Sequence, residues 1–153
     1  MQHTEWKTGI EQAMESENVR EMLDGLREAE RDITVKMAEI THLRELMTRV
    51  TQVFGGGGGH GGYKDRMAET VAAISDLETE IVRDIDRETV LMQHLRMRIE
   101  HVPEHRERSV LQMRYLAHKD WGEIAEVMDM RMEALMKMHR RAVHALEETE
   151  AAA

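Results

Sequence analysis

The chain has 153 residues, a length for one compact domain or two small units, and it is 33% charged, 41% hydrophobic and only 3% aromatic, with one Pro and no Cys. The lack of cysteine excludes a disulfide scaffold, a cysteine-based zinc site and a thiol nucleophile, and so few aromatic rings cannot fill a β-sandwich or a deep aromatic pocket. A net charge of −9 argues weakly against nucleic acid as a partner of the whole molecule, but the distribution of charge matters more than the sum.

Many Glu, Arg, Met, Leu and Ala with a single proline point to long helices. The opening MQHTEWKTGIEQ has no apolar core and no long apolar run follows, so neither a secretory signal nor a transmembrane helix is expected. The expectation is a soluble, cytoplasmic protein without a membrane partner. Residues 1–17, with Gly9 inside them, read as poorly ordered or as one short helix.

From Asn18 the pattern becomes regular. Met22, Leu26, Ala29, Ile33, Lys36, Ile40, Leu43, Met47, Val50 and Phe54 alternate spacings of four and three, an a/d heptad seam broken only by Lys36. GGGGGHGG at 55–62 holds seven of the ten glycines and should interrupt any helix. It lacks a GK[ST] ending and follows a helix rather than a strand, so it reads as a flexible linker and not as a phosphate loop. The seam resumes at Met67 and runs through Val71, Ile74, Glu78, Ile81, Ile85, Glu88, Met92, Leu95, Ile99 and Val102. Glu78 and Glu88 are its weak points, and Leu77 can partly substitute for the first. Pro103 ends the helix, because the residue before a proline is pushed out of the helical region. The arms 18–54 and 66–102 are equally long, about 55 Å each at 1.5 Å per residue. Residues 18–102 therefore predict a coiled-coil antiparallel hairpin, although the seams could instead meet those of a second chain.

Beyond Pro103 the spacing predicts three shorter helices at about 105–117, 121–128 and 131–148, with a frayed tail at 149–153. The breaks fall at His118-Lys119-Asp120 and Asp129-Met130. Asp120, with Glu123 three residues on, resembles a capping box with Asp in place of Ser or Thr. Val110, Leu111, Met113, Tyr115 and Leu116, then Trp121, Ile124, Ala125 and Met128, then Leu135, Met138, Ala142 and Leu146 fit a small three-helix core. Two short helices across a tight break, the second basic, make a helix-turn-helix layout. Within 131–144 four bases (Arg131, Lys137, Arg140, Arg141) stand against one acid, Glu133. Arg131, Met132, Glu133, Met136 and Lys137 are candidates for base-edge contact, and Arg140 and Arg141 for phosphate contact. The overall expectation is an all-α chain, a long helical hairpin followed by a three-helix helix-turn-helix domain at 104–148.

Met113-Arg114-Tyr115, Trp121, Glu123-Ile124-Ala125 and His139-Arg140-Arg141-Ala142-Val143 occur in the order in which region 4 of sigma-70-type factors carries similar residues. The block 108–146 resembles that region. A coiled-coil N-terminal half ahead of it is similar to small phage and prophage transcriptional regulators, the late-gene activators of the RinA and ArpU kind and their sigma-like relatives. The resemblance implies double-stranded promoter DNA and host RNA polymerase as partners, with no region that melts the −10 element. One departure is that the third helix opens on Met130-Arg131-Met132-Glu133-Ala134, where the family is rich in Ser or Thr. Residues 104–148 carry 8 bases and 9 acids, so one copy should bind DNA weakly, and a homodimer or polymerase would have to assist. The competing expectation is a protein-interaction module that binds polymerase or a sigma factor without touching DNA.

No HExxH occurs. His101 and His105 are separated by Pro103, and His139 and His144 point differently, so no metal site and no cofactor are expected. No nucleophile–base arrangement is visible, and the sequence does not read as an enzyme.

Overall fold

The computed structural model describes residues 18–54 and 61–151. The segment 1–17 and most of the glycine run lie outside the described residues. The architecture is all-α: a long antiparallel helical hairpin followed by shorter helices, with no strand among the described residues. Helix α1 spans Val19–Phe54 and α2 spans Gly61–Ile99. Helix α3, His105–Leu111, runs directly into a π-helical turn at Gln112–Leu116. Helix α4 covers Trp121–Met128 and α5 covers Met132–Ala151. Two boundaries differ from the expectation. Gly61 and Gly62, assigned to the linker, form the first turn of α2. The tail expected to fray is helical to Ala151, with the Thr149 hydroxyl donating to the Leu146 carbonyl at 2.6 Å.

The chain forms two compact units, residues 29–86 and the remainder, 1–28 with 87–153. The sequence break at Pro103 is thus a break between helices inside one unit, and the units divide within α1 and α2.

In the unit 29–86, α1 and α2 lie antiparallel around Ile40, Ile74 and Ile81, with Ile33, Leu43, Met47 and Leu77 packed against them. Every described seam position of α1 in this unit is buried or half-buried. On α2 the expected Ile74 and Ile81 are buried and Met67 is half-buried, but the seam positions that alternate with them are displaced by one residue. Val71 and Ile85 are 53% and 45% exposed, while Thr70, Leu77 and Asp84, each one residue earlier, face inward. At one of these positions the break at Lys36 is answered by Asp84, whose carboxylate accepts from Nζ at 2.5 Å, with Glu80 at 3.6 Å. That hydrogen bond, with the two nearby negative charges, raises the Lys36 pKa above its ordinary value. A lysine in a seam is tolerated when a partner charge meets it, and such pairs fix register more than they stabilise. Glu78, the other irregular position, is an edge residue bonded to Arg44 at 2.8 Å.

In the second unit the C-terminal helices do not form an isolated three-helix core. One cluster joins Val110, Ile124, Leu135 and Met138, with Met113, Trp121, Ala125, Met128, Met130 and Met136 around it. A larger cluster takes Leu111, Tyr115, Ala142, Val143 and Leu146 and packs them against Val19, Met22, Leu23 and Leu26 of α1 and Val90, Leu91, Leu95, Ile99 and Val102 of α2. Burying that many aliphatic side chains, at about 1.5–3 kcal/mol each, makes the start of α1 and the end of α2 integral to this unit. Polar ties follow the same seam. Arg20 reaches Glu147 at 2.9 Å, Arg98 donates to the Leu146 carbonyl at 3.3 Å, and His118 Nε2 lies 3.0 Å from Glu88. Glu88 is therefore a partnered position here.

Candidate nucleic-acid interface

The site begins with the π-helical turn that ends the first of the short helices. The Ala117 amide donates to the Gln112 carbonyl, and that of Lys119 to Met113, both at 2.9 Å. His118 takes a left-handed conformation, φ 54°, which stops the helix. Asp120 then caps α4. Its carboxylate accepts from the Glu123 amide at 2.8 Å and the Glu123 side chain accepts from the Asp120 amide at 3.1 Å, the reciprocal pair expected from the spacing.

The connection from α4 to α5 is three residues, Asp129-Met130-Arg131. Asp129 is left-handed at φ 51°, and the Met130 amide returns to the Ala125 carbonyl at 3.0 Å. This closure satisfies the end of α4 and turns the chain within one residue. Met130 folds under onto the Ile124–Leu135 cluster, and the Arg131 carbonyl accepts the first α5 bond from Leu135 at 2.9 Å.

Of the seven residues expected to face DNA, six are exposed: Arg131, Met132, Glu133, Lys137, Arg140 and Arg141. Glu133, Lys137, Arg140 and Arg141 recur at three- and four-residue spacing and share one outward strip of α5. Met136 differs. It is half-buried and packs against the Val110–Met138 cluster, because it lies on the flank of α5 between the buried and solvated faces. Arg131 belongs to the connection and not to the helix. Among the described residues none of the four cations is engaged in an ion pair. The surrounding acids are also solvent-facing: Glu123 and Glu126 on α4.

Behind that strip, residues the sequence marked only singly converge in one cluster. The Tyr115 hydroxyl bonds His139 Nε2 at 2.7 Å. The Trp121 ring meets His139 edge-on at 4.8 Å, and the Arg114 guanidinium lies 4.3 Å above the indole while donating to the Lys119 carbonyl at 3.2 Å. Burial, with Arg114, Arg140 and Arg20 nearby, lowers the His139 pKa to about 4. The ring is therefore neutral at physiological pH, and it shares this hydrogen bond with a phenol whose own pKa burial raises. His139 immediately precedes Arg140, so these contacts hold the inner face of α5 at the level of the cationic strip. The motif letters marked these residues, but only the packing of α3 and α4 against α5 brings them together.

Among the described residues, no group of three or more His, Asp or Glu is placed to hold a metal ion, and no helix is long and apolar enough to cross a membrane. Comparison of the chain with protein-family models, with curated proteins and with solved structures finds no match in any of the three.

Proposed function

We propose that the chain is a non-enzymatic, DNA-binding transcriptional regulator of phage origin, related to the sigma-like late-gene activators that it resembles. It acts in the cytoplasm of a bacterial host, on the nucleoid, by binding promoter DNA and contacting RNA polymerase. The observation that carries this reading is the outward strip of α5: Lys137, Arg140 and Arg141, with Arg131 at its head, are exposed and form no ion pair among the described residues, on a helix that follows a three-residue turn. A helix so presented places its first turns on base edges and its flanking cations on phosphates. Glu133 can accept from cytosine N4, Lys137 can donate to guanine, and Met132 can touch a thymine methyl. Activation is recruitment, one surface on DNA and another on polymerase, which raises local concentration.

The test is fluorescence anisotropy of the full chain with duplexes from its genomic neighbourhood across a salt series. The reading expects affinity that falls steeply with salt and a preference for one duplex. Arg140→Ala/Arg141→Ala should reduce the slope of log K against log salt by about 2, one per lost phosphate contact. An unchanged slope in that variant would remove α5 as the DNA face. A second reading is favoured by the exposed Glu123, Glu126 and Glu133: these acids suit a protein partner, polymerase or a sigma factor, bound without DNA. Retention by RNA polymerase together with no DNA binding at low salt would establish it.

A further inference from the structure

The unit 29–86 buries one face of α1 against α2 and leaves a second apolar stripe of α1 uncovered. Val35, Glu39, His42, Leu46, Arg49 and Val53 succeed one another at spacings of four, three, four, three and four. At about 100° per residue this stripe lies roughly 100° round the helix from the seam that faces α2. All six are exposed, Val35 and Val53 strongly at 65% and 73% and Leu46 less so at 38%. Among the described residues, Glu39, His42 and Arg49 make no ion pair and no side-chain hydrogen bond.

About position 44 the stripe inverts its charge, Glu39 against Arg49, with valine at both ends and the unlike pair His42 and Leu46 at the centre. Read from position 44 in either direction, the stripe meets His42 or Leu46, then Glu39 or Arg49, then Val35 or Val53. A twofold axis at that point would set α1 of one copy antiparallel to α1 of another. Each a position then faces a d position, the layer rule of antiparallel coiled coils, and a twofold contact requires a face complementary to itself. Val35 would cover Val53 of the other copy, Leu46 would cover His42, and Glu39 would meet Arg49. Symmetry repeats each contact, giving two valine layers at the ends, two ion pairs inside them and two leucine–histidine layers at the centre. A foreign partner has no reason to match that inverted charge order, whereas a second copy matches it by construction.

We propose that this stripe of α1 is the contact through which two copies of the chain dimerise, antiparallel about position 44. The assignment rests on the hairpin alone and does not depend on the DNA-binding reading. Sedimentation equilibrium of the full chain, without DNA, tests it. The expected result is a wild-type dimer, with Kd raised at least about tenfold by Arg49→Glu or by Glu39→Arg, each of which sets like charges across both contacts. Glu39→Arg/Arg49→Glu should restore the dimer, and an equimolar mixture of the two single variants should form a heterodimer. Circular dichroism at 222 nm checks that each variant remains helical. Because the chain has no cysteine, Val35→Cys/Val53→Cys should give a disulfide-linked dimer on mild oxidation. A wild-type chain monomeric up to about 100 μM overturns the proposal. So does a dimer indifferent to both charge reversals, which would place the contact elsewhere, on the exposed Val71, Val82 and Ile85 of α2 or through residues 1–17.

Discussion

Acid should loosen the unit that carries α5 through His139 specifically. The perturbation is a shift from pH 7.5 to 5.0. In the folded chain the His139 pKa is about 4, against an ordinary 6.5. Because the folded value is the lower one, the unfolded chain binds the extra proton. The stabilising contribution is complete above pH 6.5 and is lost as the pH falls from there through about 4. At pH 5.0 the difference in proton binding corresponds to a ceiling of about 2 kcal/mol. The ring keeps some solvent, so about 1 kcal/mol is the expected loss. The assay is urea unfolding followed by Trp121 fluorescence in a Trp6→Phe background, which leaves one indole in the chain. His139→Gln supplies the control, since its amide oxygen can still accept from the Tyr115 hydroxyl but does not titrate. Groups common to both proteins cancel in the difference. The variant should lose about 1 kcal/mol less than wild type on acidification. Equal losses in the two proteins would refute the assignment of a neutral, phenol-bonded His139.

Two further substitutions probe the frame around the same helix. Asp129 holds a left-handed conformation at φ 51°, and glycine reaches that region without the Cβ penalty. Asp129→Gly should therefore raise the urea midpoint by about 0.5–1 kcal/mol of stability, and Asp129→Val should lower it. Trp121 is half-buried under Arg114. Trp121→Ala should cost about 2–3 kcal/mol, below the range for a fully enclosed ring, and a melt indistinguishable from wild type would show the indole to be dispensable to the core.

Fold class was legible because helical seams announce themselves at close range. The α1 positions Met22, Leu26, Ala29, Ile40 and their neighbours face inward as their spacing requires, and Asp120 and Glu123 form the cap that their separation suggests. On α2 Ile74 and Ile81 are buried as their spacing requires, but the seam positions that alternate with them were not legible. Leu77 turns inward where Glu78 was the alternative, and Asp84 turns inward in place of Ile85 opposite Lys36, a contact 48 residues apart in the chain. The same limit hid the cluster behind α5. Tyr115, Trp121 and His139 lie on three different elements, and no periodicity within one helix reports that their rings converge. Met136 shows the converse: helical spacing placed it on the outward face, but at a flank position the depth of the neighbouring core decides.

The interleaving of the two units has a kinetic consequence. The core holding α5 takes Val19–Leu26 from one end of the described chain and Val90–Leu146 from the other, with the whole of 29–86 strung between. On the ribosome, the first turns of α1 must wait, with their leucines and methionine exposed, until most of the polypeptide has been made. Hairpin contacts between residues such as Lys36 and Asp84 can form well before that, and they shorten the loop that later has to close. Synthesis order therefore favours zipping the hairpin first. The surface that would read DNA is then among the last parts of the chain to acquire its shape.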